Sequence, residues 1–316
     1  MSAGDFNRRV REGAGRSPEL SAVVPTIPRR AHYLERCLTS LAGARARDRL
    51  EVLVVTEEPE RIEALVREWR PAVDVRVVEG PGPAARKRNA GVQAARANVI
   101  AFLDDDTEVE DGWAEAFLRA FANGVEAAAG RVVPSFEAPL PDHLAQNVEL
   151  VRGFNALGEW RRAGFVIGCN VAFRRTVFEE VGLFSPDFGR SGDRYQTGDE
   201  TEFVARVRRS YPVAYVEDAG VLHAIQPRRL ERGYLYARSL LGGRANASID
   251  RRHRRDFVRN AWSVALLLPI LVVRALRRPR DIAPRVQVLS GLSYVTEAVR
   301  LALTGASKPG EIPRID

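Results

Sequence analysis

The sequence is poor in cysteine. Its 316 residues contain two, Cys37 and Cys169, too few for a disulfide framework and too far apart for a CxxC ligand pair. A reducing compartment is the default for such a chain. Long apolar stretches are missing as well: the longest run, Ala261 to Val273, has thirteen residues, fewer than the ~18 that hydrocarbon requires. That argues against a polytopic membrane protein. The first twenty residues lack an apolar core, so they are no secretory signal, and residues 1–20 are expected to be a flexible segment. No internal repeat is found. Neither G-x-G-x-x-G nor G-x-x-x-x-G-K-[ST] follows the first expected strand, which removes the dinucleotide and triphosphate loops. Lysine is limited to Lys87 and Lys308, a bias that fits a GC-rich genome and carries no functional weight.

What is present is a globular composition, 45% hydrophobic and 28% charged, which excludes wholesale disorder and a collagen-like repeat. Charge is unevenly placed. Up to His223 there are 30 basic and 34 acidic residues; from Ala224 onward there are 18 basic and 7 acidic. A mildly acidic body with a basic tail suggests that the tail faces an anionic surface, membrane or nucleic acid.

From Ser21 short apolar runs alternate with amphipathic stretches. Ala22 to Val24, Val52 to Val55, Val73 to Val78 and Val99 to Leu103 read as strands; the stretches around Leu34 to Leu41, Ile62 to Trp69 and Ala84 to Arg96 have helical spacing. This alternation predicts an α/β domain with a mostly parallel sheet covered by helices. Further on, Trp113 to Phe121, Thr176 to Val181 and Glu200 to Arg209 read as helices. Ala127 to Val133 is apolar, Gly164 to Phe173 is β-like, and Val213 to Val216 and Val221 to Leu222 are expected as two short strands. Loops cover Ser135 to Pro141 and Ser185 to Gly198. In such sheets ligands bind beyond the carboxyl ends of the strands, which directs attention to Pro25 to Arg30, Thr56 to Glu58, Glu79 to Pro83 and Asp104 to Asp106.

Asp104, Asp105 and Asp106 stand together at an expected exposed strand end. Three carboxylates there repel one another, and a hard divalent cation, Mg²⁺ or Mn²⁺, would relieve them; an acidic turn capping the next helix is the alternative. Asp199, Glu200 and Glu202 open a helix after a Gly-rich loop. They complement the helix dipole or present a general base. Arg86, Lys87 and Arg88 also begin a helix, where cations oppose the dipole unless an anion lies nearby; a solvated basic patch is the other reading.

These residues fall in the order found in the large family-2 glycosyltransferases of the GT-A fold, and residues 21–223 resemble that family. Val23-Val24-Pro25-Thr26 looks like its opening strand and turn, Leu38 to Leu41 like the helix behind it, Ala85 to Gly91 like its Arg-Asn-x-Gly segment, and Leu103 to Asp106 like its DxD box. Gly168-Cys169-Asn170 with Arg174-Arg175 is similar to the acceptor-side G-x-N-x-x-x-R-R segment. Val181-Gly182-Leu183-Phe184 matches V-G-G-F, Gly198-Asp199-Glu200 stands where Gly-Glu-Asp is usual, and His223 stands where many members place a His. The second strand departs from the pattern: it ends Thr56-Glu57-Glu58-Pro59 where paired Asp with Gly-Ser is usual.

The resemblance implies an inverting, metal-dependent transfer from a nucleotide diphosphate sugar, a UDP-sugar by preference. It assigns the base to Glu200, with Asp199 as the alternative. The metal falls to Asp106, with His223 as a further ligand. Donor contacts fall to Pro25, Thr26, Glu57, Glu58, Arg86, Arg88, Asn89, Asp104 and Asp105, and the acceptor side to Gly168, Cys169 and Asn170. The acceptor implied is a glycan or lipid-linked intermediate, in a cytoplasmic enzyme that can sit peripherally on the inner face of the cell membrane. A nucleotidyltransferase and a non-catalytic nucleotide-sugar binder are the competing readings.

The remaining 224–316 form a basic helical region in which Pro269 is expected to interrupt the apolar run. Arginines on both sides of that run fit a helix in the membrane interface; a core helix packed on the body or on a second copy is the alternative. Nucleic acid is not expected as a partner, since no aromatic interleaving accompanies the arginines.

Overall fold

The structure, a computed structural model, describes residues 17–145, 147, 167–188, 198–253, 257–304 and 314–315. The first strands are those of the alternating pattern: β1 (Leu20–Pro25), β2 (Leu50–Thr56), β3 (Asp74–Glu79) and β4 (Val99–Leu103). Between them lie α1 (Ala31–Gly43), α2 (Pro59–Arg67) and α3 (Ala84–Ala94). There follow β5 (Thr107–Val109), α4 (Trp113–Ala122), β6 (Ala127–Phe136), α5 (Asp142–Ala145), β7 (Asn170–Arg174), α6 (Arg175–Val181), α7 (Asp199–Val207) and β8 (Val213–Ile225). Three longer helices close the chain: α8 (Arg232–His253), α9 (Phe257–Arg277) and α10 (Ile282–Leu303).

One sheet runs β3-β2-β1-β4-β7-β6-β8-β5. The β3-β2-β1-β4 half is parallel, as the crossover helices demand. Beyond it β7 runs antiparallel to both β4 and β6, and β5 runs antiparallel to β8, so the whole sheet is mixed. Strands β1, β2 and β4 are buried almost throughout, and this is why they read as continuous apolar runs. The two short strands expected over 213–222 belong to a single strand that pairs in parallel with β6 on both sides of an irregularity: Val216 pairs with Gly130 and Val221 with Val132, and residues 217–220 fall in the register shift between them. An aromatic cluster locks the two halves: Phe184 and Phe203 stack at 4.3 Å, and Phe102 meets Phe184 edge-on at 5.1 Å. These rings tie the end of β4 to α7 and fix the distance between the two acidic segments.

Several expectations need correction. Leu20, placed in a flexible segment by the sequence, is buried in β1, while residues 1–16 lie outside the described residues. Residues 164–166 and 189–197, within the expected β-like and loop stretches, also lie outside them. Pro269 does not interrupt its helix: α9 continues through it for 21 residues. Proline removes one N–H and frees the carbonyl four residues back. Pro269 lies on the exposed side, where that carbonyl can turn outward, while the opposite side stays packed on α10. By length and composition α9 is apolar enough to cross a membrane, which the thirteen-residue run alone did not suggest. No residue of α9 is buried, so it is no core helix of the body.

Candidate active site

Asp104, Asp105 and Asp106 make the turn from β4 to β5, closed by Thr107 Oγ1 donating to the Asp104 carbonyl at 2.7 Å. Their side chains part ways. Asp105 accepts from Thr26 Oγ1 at 2.7 Å and from Arg30 Nε at 2.8 Å. Asp106 Oδ2 receives Arg30 Nη2 at 2.7 Å and Arg229 Nη2 at 2.9 Å. Its Oδ1 has no hydrogen-bond partner and faces His223 Nε2 at 3.5 Å. The antiparallel pairing of Thr107 with His223 brings that imidazole to the acidic turn. One ligand atom each from Asp104, Asp106 and His223 lie within 4.8 Å of one another. The strand end is less open than expected. Asp105 and Asp106 are each 4% exposed. Burial pushes Asp105 up to about 6 against the opposing pull of Arg30. Burial acts the same way on Asp106, but His223, Arg229 and Arg30 overcome it and hold this carboxyl well below the usual range.

The second acidic segment meets the first through Arg88, a buried residue of α3. Its guanidinium pairs with Asp199, with Glu200 Oε1 at 2.9 Å and with Asp104 Oδ1 at 3.2 Å. Gly198, at φ 103°, has the left-handed turn that lets α7 start with two acids against this cation. Asp199 is buried, and burial followed by the charge of Glu200 pushes it up to about 7. Glu200 is held below its ordinary value: burial opposes this, but Arg88 and the hydrogen bond with Asp199 prevail. Of the two, Glu200 is the accessible carboxylate, with a quarter of its side chain exposed. A Cβ at Gly168 would collide with the Glu200 side chain, so glycine there is what allows Glu200 its place.

A family model for glycosyl transferase family 2 matches residues 21–182, just over half of the chain, which includes β1, Arg88 and the Asp104–Asp106 turn. The chain belongs to this family. It is 29% identical over 223 residues to a glucosyl-dolichyl phosphate glucuronosyltransferase of Haloferax volcanii, covering 67% of this chain and 71% of the relative. It is 26% identical over 246 residues to the succinoglycan biosynthesis protein ExoM of Rhizobium meliloti, covering 74% and 76%. Among solved structures it is similar to the mannosyltransferase PcManGT of Pyrobaculum calidifontis, solved in complex with GDP-Man and Mn²⁺. The TM-score is 0.60 at 17% identity, over 96% of this chain and 94% of that one. Residues 1–349 of S. aureus TarS superpose with a TM-score of 0.51 at 13% identity, over 94% and 99%. The fold is therefore GT-A and the chain is a glycosyltransferase, which sets aside nucleotidyl transfer and a purely binding role.

The other expected site residues of this glycosyltransferase divide into those near the acidic turn and those used structurally. Pro25 and Thr26 end β1 beside Asp105. Glu57 is exposed at the end of β2 and lies 3.5 Å from Lys87 Nζ, whereas Glu58 is engaged by Arg61 at 2.6 Å. Arg86 is exposed. Asn89 exchanges two hydrogen bonds of 2.9 Å with the backbone of Phe184, tying α3 to the segment that follows α6. Cys169 is buried, and desolvation raises its thiol well above the usual value. Asn170 receives Trp113 Nε1 at 2.9 Å and donates to the carbonyls of Arg131 and Ala219, so its amide ties β7 to β6 and β8.

Three residues at the site were given no site role by the sequence, although Lys87 belongs to its basic helix start and Arg30 to its first strand-end loop. Arg30 lies in the first strand-end loop but matches no landmark of the family. Lys87 donates to the Thr26 carbonyl at 3.1 Å and is buried between the ends of β1 and β2. Arg229 sits beyond His223, where the catalytic body seemed to end; Nη1 lies 3.0 Å from His223 Nε2. The basic region thus supplies part of the site, and its charge asymmetry was the available signal. Helix α8 also covers the start of α7, since a Cβ on Gly198 would lie 3.2 Å from Ile249 and 3.3 Å from Ala245.

Proposed function

We propose that this glycosyltransferase moves a sugar, with inversion, from a UDP-sugar to a hydroxyl of a glycan or lipid-linked acceptor, with a divalent metal. The observation that carries the reading is the meeting of the Asp104, Asp106 and His223 ligand atoms with the Arg88-bridged Asp199 and Glu200 at the ends of β1 and β4.

The residues fit a hard cation. Asp106 Oδ1 and His223 Nδ1 are buried without hydrogen-bond partners. Five carboxylates (Asp104, Asp105, Asp106, Asp199, Glu200) face three guanidiniums (Arg30, Arg88, Arg229), leaving negative charge in excess. Asp104, Asp106 and His223 would hold the metal, which supplies Lewis-acid neutralisation of the diphosphate leaving group. Asp105 holds Arg30 and Thr26 in place, and exposed Arg86 is free to meet the diphosphate. Glu57, an acceptor beside the donor Lys87, suits a base edge carrying an N–H flanked by carbonyls, as in uracil.

Glu200 accepts the proton of the acceptor hydroxyl as its oxygen attacks the anomeric carbon and the bond from that carbon to the diphosphate oxygen breaks. Attack from the face opposite the leaving group inverts the centre. Arg88 spends its guanidinium on carboxylates of both halves and so acts as a positioning residue, aligning Glu200 with the acidic turn. The name of the Haloferax volcanii relative, a glucosyl-dolichyl phosphate glucuronosyltransferase, supports a lipid-linked acceptor. Its substrate class, and polysaccharide assembly as in the ExoM relative, enter here as support by likeness. The test is hydrolysis and transfer from a panel of radiolabelled UDP-sugars and GDP-mannose with Mn²⁺, Mg²⁺ or chelator. Release of sugar from UDP donors, dependent on metal, is expected. Turnover confined to GDP-mannose overturns the UDP reading, and turnover undiminished in chelator overturns the metal.

A further inference from the structure

We propose that α9 lies in the plane of an anionic lipid surface, its outer side in the boundary between headgroups and acyl chains, and seats the enzyme there.

The helix is apolar on two opposite sides. One packs inward, with Phe257, Ala261 and Val264 against Ala247, Tyr294 and Ala298. On the other, Val258, Trp262, Leu266, Ile270, Val273 and Leu276 recur at spacings of three and four, which sets them in one line. Trp262, Leu266 and Leu276 are 66, 70 and 74% exposed. A continuous apolar line of this length on a surface helix marks an interaction site.

Orientation follows from how the three last helices are tied down. Leu235, near the start of α8, is buried with Ile225 and Leu230, and Arg252, near its end, reaches Asp187 at 3.0 Å. Helix α8 therefore lies along the body over ~33 Å. Beside it and parallel runs α10: Ile282 packs in the same cluster as Leu235, and Tyr294 donates to Asp250 at 2.6 Å. Helix α9 returns antiparallel along α10, with Val264 and Leu268 against Gly291. Both of its ends stay at the level of the body. A perpendicular crossing would carry α8 and the body into hydrocarbon, so α9 lies flat.

Charge selects the occupant. From Phe257 to Arg280 there are five arginines and no carboxylate. Arg259, Arg274 and Arg277 fall along one edge of the apolar line, where headgroup phosphates would meet them. A second copy of the same helix offers apolar surface but only like charge. Anionic lipid offers both. The seat does not depend on the chemistry; its consequence, an acceptor borne on that lipid surface, rests on the reaction proposed above.

The experiment uses the full chain with phosphatidylcholine vesicles, plain or with phosphatidylglycerol. Flotation with the anionic vesicles, a blue shift of tryptophan emission absent from Trp262→Phe, and stronger quenching by shallow than by deep brominated lipid are expected. Raised salt should weaken flotation, and Leu266→Asn with Ile270→Asn should lower partitioning about tenfold or more. Both positions are exposed, so the double variant should melt as the parent does; should it not, the lipid-charge, salt and quenching measurements on the parent still decide. Protein that stays unfloated with anionic vesicles at low salt overturns the proposal. Stronger deep quenching means a spanning helix and overturns it too, as does a dimer by sedimentation that shields Trp262 and does not bind vesicles.

Discussion

Replacing Arg88 by methionine removes a buried cation shared by Asp199, Glu200 and Asp104, while keeping much of its contact with the Phe184 ring. Taking one partner from a buried ionic cluster costs about 3–5 kcal/mol. At ~2–4 °C per kcal/mol for a domain of this size, the melting temperature at pH 8 should fall by roughly 6–20 °C. The loss should shrink with acidity. Asp199 titrates at about 7 in the folded protein, above its ordinary value of 3.8. It is therefore mostly ionised at pH 8 and roughly thirtyfold in favour of the protonated form at pH 5.5. Without Arg88 the folded-state values of Asp199 and Glu200 both rise, and a raised carboxyl loses stability as pH climbs from its unfolded value through its folded one. The variant should thus be hurt most at pH 8 and least near pH 5.5, with about 1–2 kcal/mol of the penalty recovered for each carboxyl that stays neutral. Thermal melts of both proteins by circular dichroism at the two pH values measure this. An equal drop at both, or none, would refute the shared-cation account.

Glu200→Gln keeps size and most hydrogen bonding but cannot take a proton, so turnover should fall ~10²-fold or more while UDP affinity by calorimetry is retained. If Asp199→Asn abolishes turnover and Glu200→Gln does not, the roles are reversed. Asp106→Asn keeps an acceptor for Arg30 and Arg229 but loses the charge; the Mn²⁺-dependent gain in UDP affinity should disappear, with a stability cost of ~1–3 kcal/mol because this carboxylate is buried. Equal affinity with metal present removes Asp106 from the metal site. Gly168→Ala places a methyl against Glu200, so kcat should drop about tenfold or more with donor KM little changed; an unaltered kcat would show that the Glu200 position is not demanding.

The parallel half of the sheet was legible because β1, β2 and β4 are buried on both faces and must be continuously apolar. The acidic turn and the start of α7 were legible because clustered carboxylates have no packing reason to be there. His223 was placed by likeness to the family alone. Arg30, Lys87 and Arg229 received no site role, because an arginine or lysine looks the same in sequence whether it is solvated or buried against a carboxylate. Asn170 appeared as a landmark, and its hydrogen bonds to Trp113, Arg131 and Ala219 join strands that are far apart in the chain.

Local pattern by itself determined the α/β alternation, the strand ends where ligands gather, the acidic clusters and the basic last third. Those properties follow from the order of side chains along a short stretch, since burial on two faces, helical spacing and like-charge crowding are all local. Tertiary structure decided the rest: that β5 pairs with β8 and delivers His223 to Asp106, that Arg88 joins Asp104 to Glu200, that Arg229 from the basic region closes the acidic turn, and that the apolar outer line of α9 stays exposed among the described residues. Each depends on a strand register or a helix packing angle between distant segments. Coulomb attraction depends on the separation of charges in space and on their burial, neither of which composition contains, so sequence composition cannot say which opposite charges will meet.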